Sequence, residues 1–316
     1  MKKEDIRIVF MGTPEFAVNI LDGLLHHNYN IVGVLTAPDR PAGRGQKINE
    51  SAVKVFSKSK GLKVLQPGNL KDDTFLSDLK NLNANLQIVV AFRMLPKVVW
   101  QMPSLGTFNL HASLLPDYRG AAPINWAIIN GETETGLTTF FIDEKIDTGS
   151  IILQSNIDIE PSENAGMLHD KLMVLGSALV IKTIEQIEGG TVKTISQPIK
   201  ETKTAYKLNK NNCKIDWNSS IESIYNKVRG LNPYPAAWGL LSYGDALLNI
   251  KIYEVAKHYE KHEHKIGLLV TTKTTIKIAV KKGYIELINF KFPGKRQMDS
   301  ASFLNGFRFQ VEAQML

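Results

Sequence analysis

The sequence predicts an α/β protein, with a doubly wound sheet followed by a small β-barrel. Three observations carry this reading. Apolar strands alternate with helical patterns through the first half of the 316 residues. The second part changes to short, closely spaced strands separated by Gly and polar turns. Between them lies a Thr- and Lys-rich stretch with little apolar periodicity. A chain of this length exceeds one ordinary domain. The expected division is a first domain at 1–189, a linker at 190–209 and a second domain at 210–316.

Each element has its own signal. Residues 6–11 form a near-continuous apolar run, as a strand buried on both faces would. Gly12-Thr13-Pro14 turns the chain. A helix then runs from Glu15 to His26, with Phe16, Ile20, Leu21, Leu24 and Leu25 on one side. A strand at 31–35, a helix at 51–60 and strands at 86–91, 108–110 and 137–141 follow. A long helix at 164–188 stops at Gly189-Gly190. Past the linker we expect a helix at 221–228, a stiff turn at Asn232-Pro233-Tyr234-Pro235, and strands at 247–256, 266–271, 275–280 and 284–290. The whole reads as a Rossmann-like sheet with an OB-like barrel behind it.

Composition narrows the class. Apolar residues make up 43% and charged residues 22%, which suffices for a sizeable core. No apolar run is long enough to cross a bilayer. Met1-Lys2-Lys3-Glu4-Asp5 leads straight into a strand, without the core of a secretion signal. With Cys213 the only cysteine, no internal disulfide forms, and a reducing cytoplasm is expected. No heptad or apolar strip asks for a partner, so the expected state is a monomer. Charge is uneven: the first 189 residues carry 18 Lys+Arg against 21 Asp+Glu, the rest 20 against 10. A basic second part suits either a polyanion partner or a solvated Lys-rich surface, and charge alone leaves both open.

The first strand–helix turn lacks G-x-G-x-x-G, so no dinucleotide is indicated. Chemistry concentrates later. Asn109 and His111 sit two apart at a strand end and so point the same way. One is an amide able to donate to a developing oxyanion, the other a side chain that exchanges protons near neutral pH. The pair suits acyl transfer to an amine, though a polar strand end would look similar. Asp147 follows the strand at 137–141, where this fold places sites, and a carboxylate there can orient a histidine. A turn residue before Thr148-Gly149 is the plainer alternative. His258, His262 and His264 have loose metal-like spacing within Lys-rich sequence and read better as a hydrated loop, so no metal is expected.

On these residues the chain resembles the folate-dependent formyltransferase family. Asn109, His111 and Ser113-Leu114-Leu115-Pro116 match its Asn-x-His-x-Ser-Leu-Leu-Pro pattern. Asp147-Thr148-Gly149 matches its Asp-x-Gly signature. Arg119-Gly-Ala-Ala-Pro-Ile124 matches the segment between, and residues 38–45 look like a loop of the tRNA-formylating branch. The resemblance implies 10-formyltetrahydrofolate as donor and initiator methionyl-tRNA as acceptor. It implies Asn109, His111 and Asp147 as the catalytic trio and Ser113 to Pro116 as folate lining. Phe92, Arg93, Met94 and Leu95 resemble a segment that touches the pterin in purine-pathway relatives, although residues 91–96 are one residue shorter than the stretch many relatives carry. For tRNA it points to Arg40, Arg44 and Lys47 in the early loop, with Lys207 and Lys210 as basic candidates where the linker meets the second domain. Within the same fold the site could instead formylate a small amine or hydrolyse formylfolate. A non-catalytic RNA-binding protein is a further alternative, against which the intact trio argues.

Overall fold

The computed structural model describes residues 2–42, 47–198 and 203–316. The chain forms two compact units that interleave along the sequence. One comprises Met1–Gly120, Thr135–Ile157 and His169–Thr204; the other comprises Ala121–Glu134, Asp158–Leu168 and Ala205–Leu316.

The first unit is built on seven strands: β1 (Arg7–Gly12), β2 (Asn30–Leu35), β3 (Val64–Leu65), β4 (Leu86–Val90), β5 (Thr107–His111), β6 (Glu134–Phe141) and β7 (Ile151–Asp158). Their order is β7-β6-β5-β4-β1-β2-β3. The pairs from β3 through β5 are parallel, and β6 runs antiparallel to β5. Strand order reverses between β1 and β4, which opens a crevice at the carboxyl ends of the parallel strands. Helices cover both faces. The helix Glu15–His26 buries Phe16, Ile20, Leu21 and Leu24, while Leu25 is half-buried at the edge of the stripe. Each such buried side chain contributes roughly 1.5–3 kcal/mol. The long helix Ala165–Glu188 lies on the same face: Gly176 meets Ile20, Leu110 and Leu137, and Gly23 meets Ser177. On the other face Val9, Met11, Leu35 and Val89 pack with Phe75, Leu79 and Val99, which come from the helices Asp73–Asn81 and Lys97–Trp100.

Caps account for the helix starts. Ser51 accepts from the Lys54 amide at 3.1 Å and Asp72 from the Phe75 amide at 3.1 Å. The helix Ala52–Ser59 is the one expected at 51–60, with its two end residues as caps. The elements that escape sequence reading include β3, the helices Asp73–Asn81 and Lys97–Trp100, the helix Pro123–Ile129 of the second unit, and β7. The last reads Ile-Ile-Leu-Gln-Ser-Asn-Ile-Asp, and its buried residues gather at one end. Without alternation there is no strand signal. Ile195, in the stretch read as linker, exchanges backbone hydrogen bonds of 2.8 and 2.9 Å with Ile151 of β7. Part of that stretch therefore lies along the sheet edge.

The second unit is an antiparallel barrel of β8 (Ala237–Tyr243), β9 (Ala246–His258), β10 (Leu269–Thr271), β11 (Ile276–Val280), β12 (Gly283–Lys291), β13 (Gln297–Asp299) and β14 (Ala313–Met315). The path runs β10-β11-β12-β9-β8-β14, with β13 on β12. A bridge from Leu268 to Gln314 and a 2.8 Å bond from Met315 to Gly267 bring its ends together, so the barrel is nearly closed. The helix Ile221–Leu231 plugs it with Ile221, Ile224, Val228 and Leu231. Cys213 lies in this core, where burial pushes its thiol above the ordinary value. Among the described residues no helix is long and apolar enough to cross a membrane.

Candidate active site

The site grows from the end of β5. Leu110 faces the long helix at Gly176, so Asn109 and His111 point to the opposite face. Their partners on β6 are Phe140 and Thr138. The edge of Phe140 meets the His111 ring, with centroids 6.5 Å apart. Among the described residues the Asn109 carboxamide has no hydrogen-bond partner, which leaves its donors open.

His111 is only 6% exposed. Its Nε2 lies 2.8 Å from the carbonyl of Tyr118. A carbonyl can only accept, so Nε2 carries the hydrogen and Nδ1 is the basic nitrogen of the neutral ring. Asp147 Oδ2 stands 3.8 Å from Nδ1. That is longer than a hydrogen bond, yet close enough to stabilise a proton taken up there.

Asp147 lies in the loop between β6 and β7, with a left-handed φ of 54°. Its Oδ2 accepts from the Gly120 amide at 2.9 Å. Gly149, two residues on, is obligatory for a different reason: a Cβ there would come within 1.7 Å of the Phe141 carbonyl oxygen. The Asp-Thr-Gly signature is thus a carboxylate followed by a tight return against β6.

The turn after His111 is held by Thr138. Its hydroxyl donates to the Ser113 carbonyl at 2.7 Å and accepts from the Leu115 amide at 3.1 Å. Gln154 of β7 adds a 2.9 Å bond to the Leu115 carbonyl. Ser113 is fully buried, and its hydroxyl goes to the Asp117 carbonyl at 2.7 Å, so it shapes the turn. Leu114 and Pro116 are half-buried and Leu115 is buried.

Phe92, Arg93, Met94 and Leu95 form the loop after β4, the parallel neighbour of β5. Leu95 enters the core, Met94 is exposed, and Arg93 donates to the carbonyls of Gly68 and Pro67. Burial, and then the nearby Arg40, lower the Arg93 guanidinium from its usual value.

Arg40 is exposed on the strand Arg40–Ala42, which pairs antiparallel with Lys47–Asn49. Arg44 lies outside the described residues. Buried Lys54 joins both ends of this hairpin by ion pairs to Asp39 and, at 2.8 Å, to Glu50. Its ammonium holds both carboxyls below their ordinary values.

Lys207 and Lys210 belong to the second unit and are exposed; the Lys210 ammonium sits 5.4 Å from the centre of the Trp238 ring. His258 pairs with Glu286 at 2.6 Å, and His262 is taken up by the carbonyls of Val280 and Gly283.

Tyr118, Thr138, Gln154 and Gln197 complete the site and were not singled out by sequence. Tyr118 acts through its carbonyl, a group every residue has. Its position is set partly by Lys203, whose carbonyl accepts from the Tyr118 amide and whose amide donates to Asp117 at 3.1 Å.

An open amide donor beside a buried histidine and carboxylate is an arrangement for acyl transfer. Known proteins give the acyl group. The formyl transferase family model matches residues 6–184, and the model of its C-terminal domain matches residues 207–308. The chain is 62% identical to a methionyl-tRNA formyltransferase of Flavobacterium johnsoniae over 313 residues, covering 99% of each chain. It is 52% identical to a protein of the same name from Bacteroides thetaiotaomicron, covering 98% of each. Among solved structures, a sugar 3N-formyl transferase determined with dTDP and 5-N-formyl-THF superposes with a TM-score of 0.65 at 21% identity, covering 92% of this chain and 99% of that one. The chain belongs to the formyl transferase family, and it is an enzyme that transfers formyl groups.

Proposed function

We propose that this enzyme transfers the formyl group of 10-formyltetrahydrofolate to the α-amino group of initiator methionyl-tRNA in the cytoplasm. The observation that carries the reading is the 62% identity, over 99% of both chains, to a methionyl-tRNA formyltransferase. The site supports it with the three groups the reaction needs. The methionyl amine attacks the formyl carbon, and Asn109 donates to the oxyanion that forms. His111 takes the amine proton on Nδ1, the nitrogen left free by its 2.8 Å bond to Tyr118, and passes it to folate N10 as the carbon–N10 bond breaks. Asp147, 3.8 Å away, stabilises the imidazolium in between.

In this reading the folate lies along Phe92, Arg93, Met94 and Leu95 and the turn Ser113-Leu114-Leu115-Pro116. No metal takes part. Residues 210–316, joined by the linker 190–209, bind tRNA. Lys207 and Lys210 supply phosphate contacts, and Arg40, Arg44 and Lys47 bind the acceptor end. The test is transfer of labelled formyl from 10-formyltetrahydrofolate to methionyl-tRNA, initiator against elongator. Transfer to the initiator alone supports the reading. Folate binding without transfer to either tRNA overturns it in favour of a small-amine acceptor or a formylfolate hydrolase.

A further inference from the structure

Gln197 lies in the stretch that sequence reads as linker, yet its side chain closes a circuit around the catalytic loop. Its Oε1 accepts from Arg119 Nε at 3.1 Å and from Nη2 at 2.6 Å. Its Nε2 donates to the carbonyl of Asp147 at 3.0 Å and to that of Gly149 at 2.8 Å. The amide orientation has one solution, because a guanidinium only donates and a carbonyl only accepts. Next to Arg119 in sequence, the Gly120 amide donates to the Asp147 carboxylate at 2.9 Å. Arg119, Gln197, Asp147 and Gly120 therefore form a closed ring of contacts.

That ring constrains a residue that needs constraint. Asp147 holds a φ of 54°, a region disfavoured for residues other than Gly. Its carboxylate stands 3.8 Å from His111 Nδ1, where a shift of an ångström alters the field on the proton being transferred. Gln197 is half-buried and is carried into place by the Ile195–Ile151 pairing two residues earlier.

We propose that Gln197 is a positioning residue for formyl transfer: it fixes the backbone of Asp147 and Gly149 so that the Asp147 carboxylate is held against His111. The assignment rests on the proposed function of the site. It predicts that the carboxamide matters for its hydrogen bonds and not for its volume. Gln197→Met keeps the volume and loses all four contacts. Gln197→Glu keeps Arg119 but sets a carboxylate oxygen against two carbonyls.

The experiment compares Gln197→Met and Gln197→Glu with the parent chain, each also in the Asp147→Asn background. The expected result is a fall of about tenfold or more in kcat for both variants, with KM for donor and acceptor within about twofold. In the Asp147→Asn background the further loss should be within about twofold, since the two residues act through one contact. Hydrogen exchange of the amides at 143–149 should rise about tenfold in Gln197→Met, a readout that needs neither acceptor nor turnover. Parent-like kcat in Gln197→Met, an undiminished loss in the Asp147→Asn background, or unchanged exchange would each overturn the assignment. A parent chain inactive on methionyl-tRNA would sink the functional reading alone, and the exchange measurement would still decide the role of Gln197.

Discussion

Replacing Asp147 by Asn removes one charge and little else. Asn tolerates the left-handed backbone that Asp147 adopts, with φ 54°, better than other residues with a Cβ. Its side-chain oxygen can still accept from the Gly120 amide, so the loop keeps its anchor. What disappears is the field at His111. The two groups are 3.8 Å apart, with side chains 7% and 16% exposed. At an effective dielectric of about 20, a charge pair at that distance is worth about 4 kcal/mol. In the proposed mechanism this interaction is absent before the amine gives up its proton, and it reaches full strength when Nδ1 carries the proton. It therefore acts on the transition state more than on substrate binding.

At 1.36 kcal/mol per decade, kcat in Asp147→Asn should fall between about 10² and 10³-fold. The lower bound applies where water or substrate screens part of the field. Single-turnover formyl transfer with enzyme in excess isolates the chemical step. Equilibrium binding of a non-transferring folate provides the control, and it should stay within about twofold of the parent. A transfer rate within about threefold of the parent would refute the reasoning. It would mean that the 3.8 Å approach is a structural contact, with the imidazolium stabilised by some other group.

Other perturbations test other parts of the site. Asn109→Ala removes the open donor and should cost ~10²–10³ in single-turnover rate; an unchanged rate would deny it the oxyanion. Gly149→Ala places a Cβ 1.7 Å from a backbone oxygen, so urea denaturation should show a loss of ~3 kcal/mol or more, or transfer should collapse as the loop moves; an unchanged midpoint and rate would contradict the contact. Asp39 and Glu50 are held below their usual values of 3.8 and 4.5 by Lys54. A depressed carboxyl contributes stability above its unfolded value and loses it as pH falls through the folded one. The protection of backbone amides on the strands Arg40–Ala42 and Lys47–Asn49, relative to their intrinsic exchange, should therefore fall as pH drops through the lowered carboxyl values, and Lys54→Met should show the reduced protection already at pH 7. Salt should weaken tRNA binding steeply and folate binding much less, because the residues after 189 carry 20 Lys+Arg against 10 Asp+Glu; equal slopes would contradict separate binding modes.

The elements that sequence made legible share one property: their burial is regular. Residues 6–11 and 86–91 are apolar except for Arg7 and Gln87, because β1 and β4 are covered on both faces. The helix at Glu15–His26 shows an unbroken stripe between a turn at Gly12-Thr13-Pro14 and a polar end. Where burial is irregular the signal fails. β7 buries two residues and then alternates only weakly, and β14 has three residues in all. The helix Pro123–Ile129 is too short for two turns of periodicity.

The site divides along a similar line, between side chains proposed to carry the chemistry and groups that hold them. Asn109, His111 and Asp147, the proposed catalytic groups, stand out in the sequence because amide, imidazole and carboxylate are distinctive and their strand context is local. The groups that set their geometry are anonymous or distant. The proton on His111 is assigned by the carbonyl of Tyr118, and no residue type predicts which carbonyl turns inward. Gln197 reaches Asp147 across 50 positions of sequence from a polar stretch where a glutamine attracts no notice. Both are tied to the chain beyond the long helix: Ile195 pairs with the sheet edge at Ile151, and Lys203 bonds to Asp117 and Tyr118. A stretch without periodicity can be a linker, or it can be chain that holds a site through a few backbone and side-chain hydrogen bonds. Only the positions of its partners distinguish the two, and here the partners are the two groups that flank the histidine.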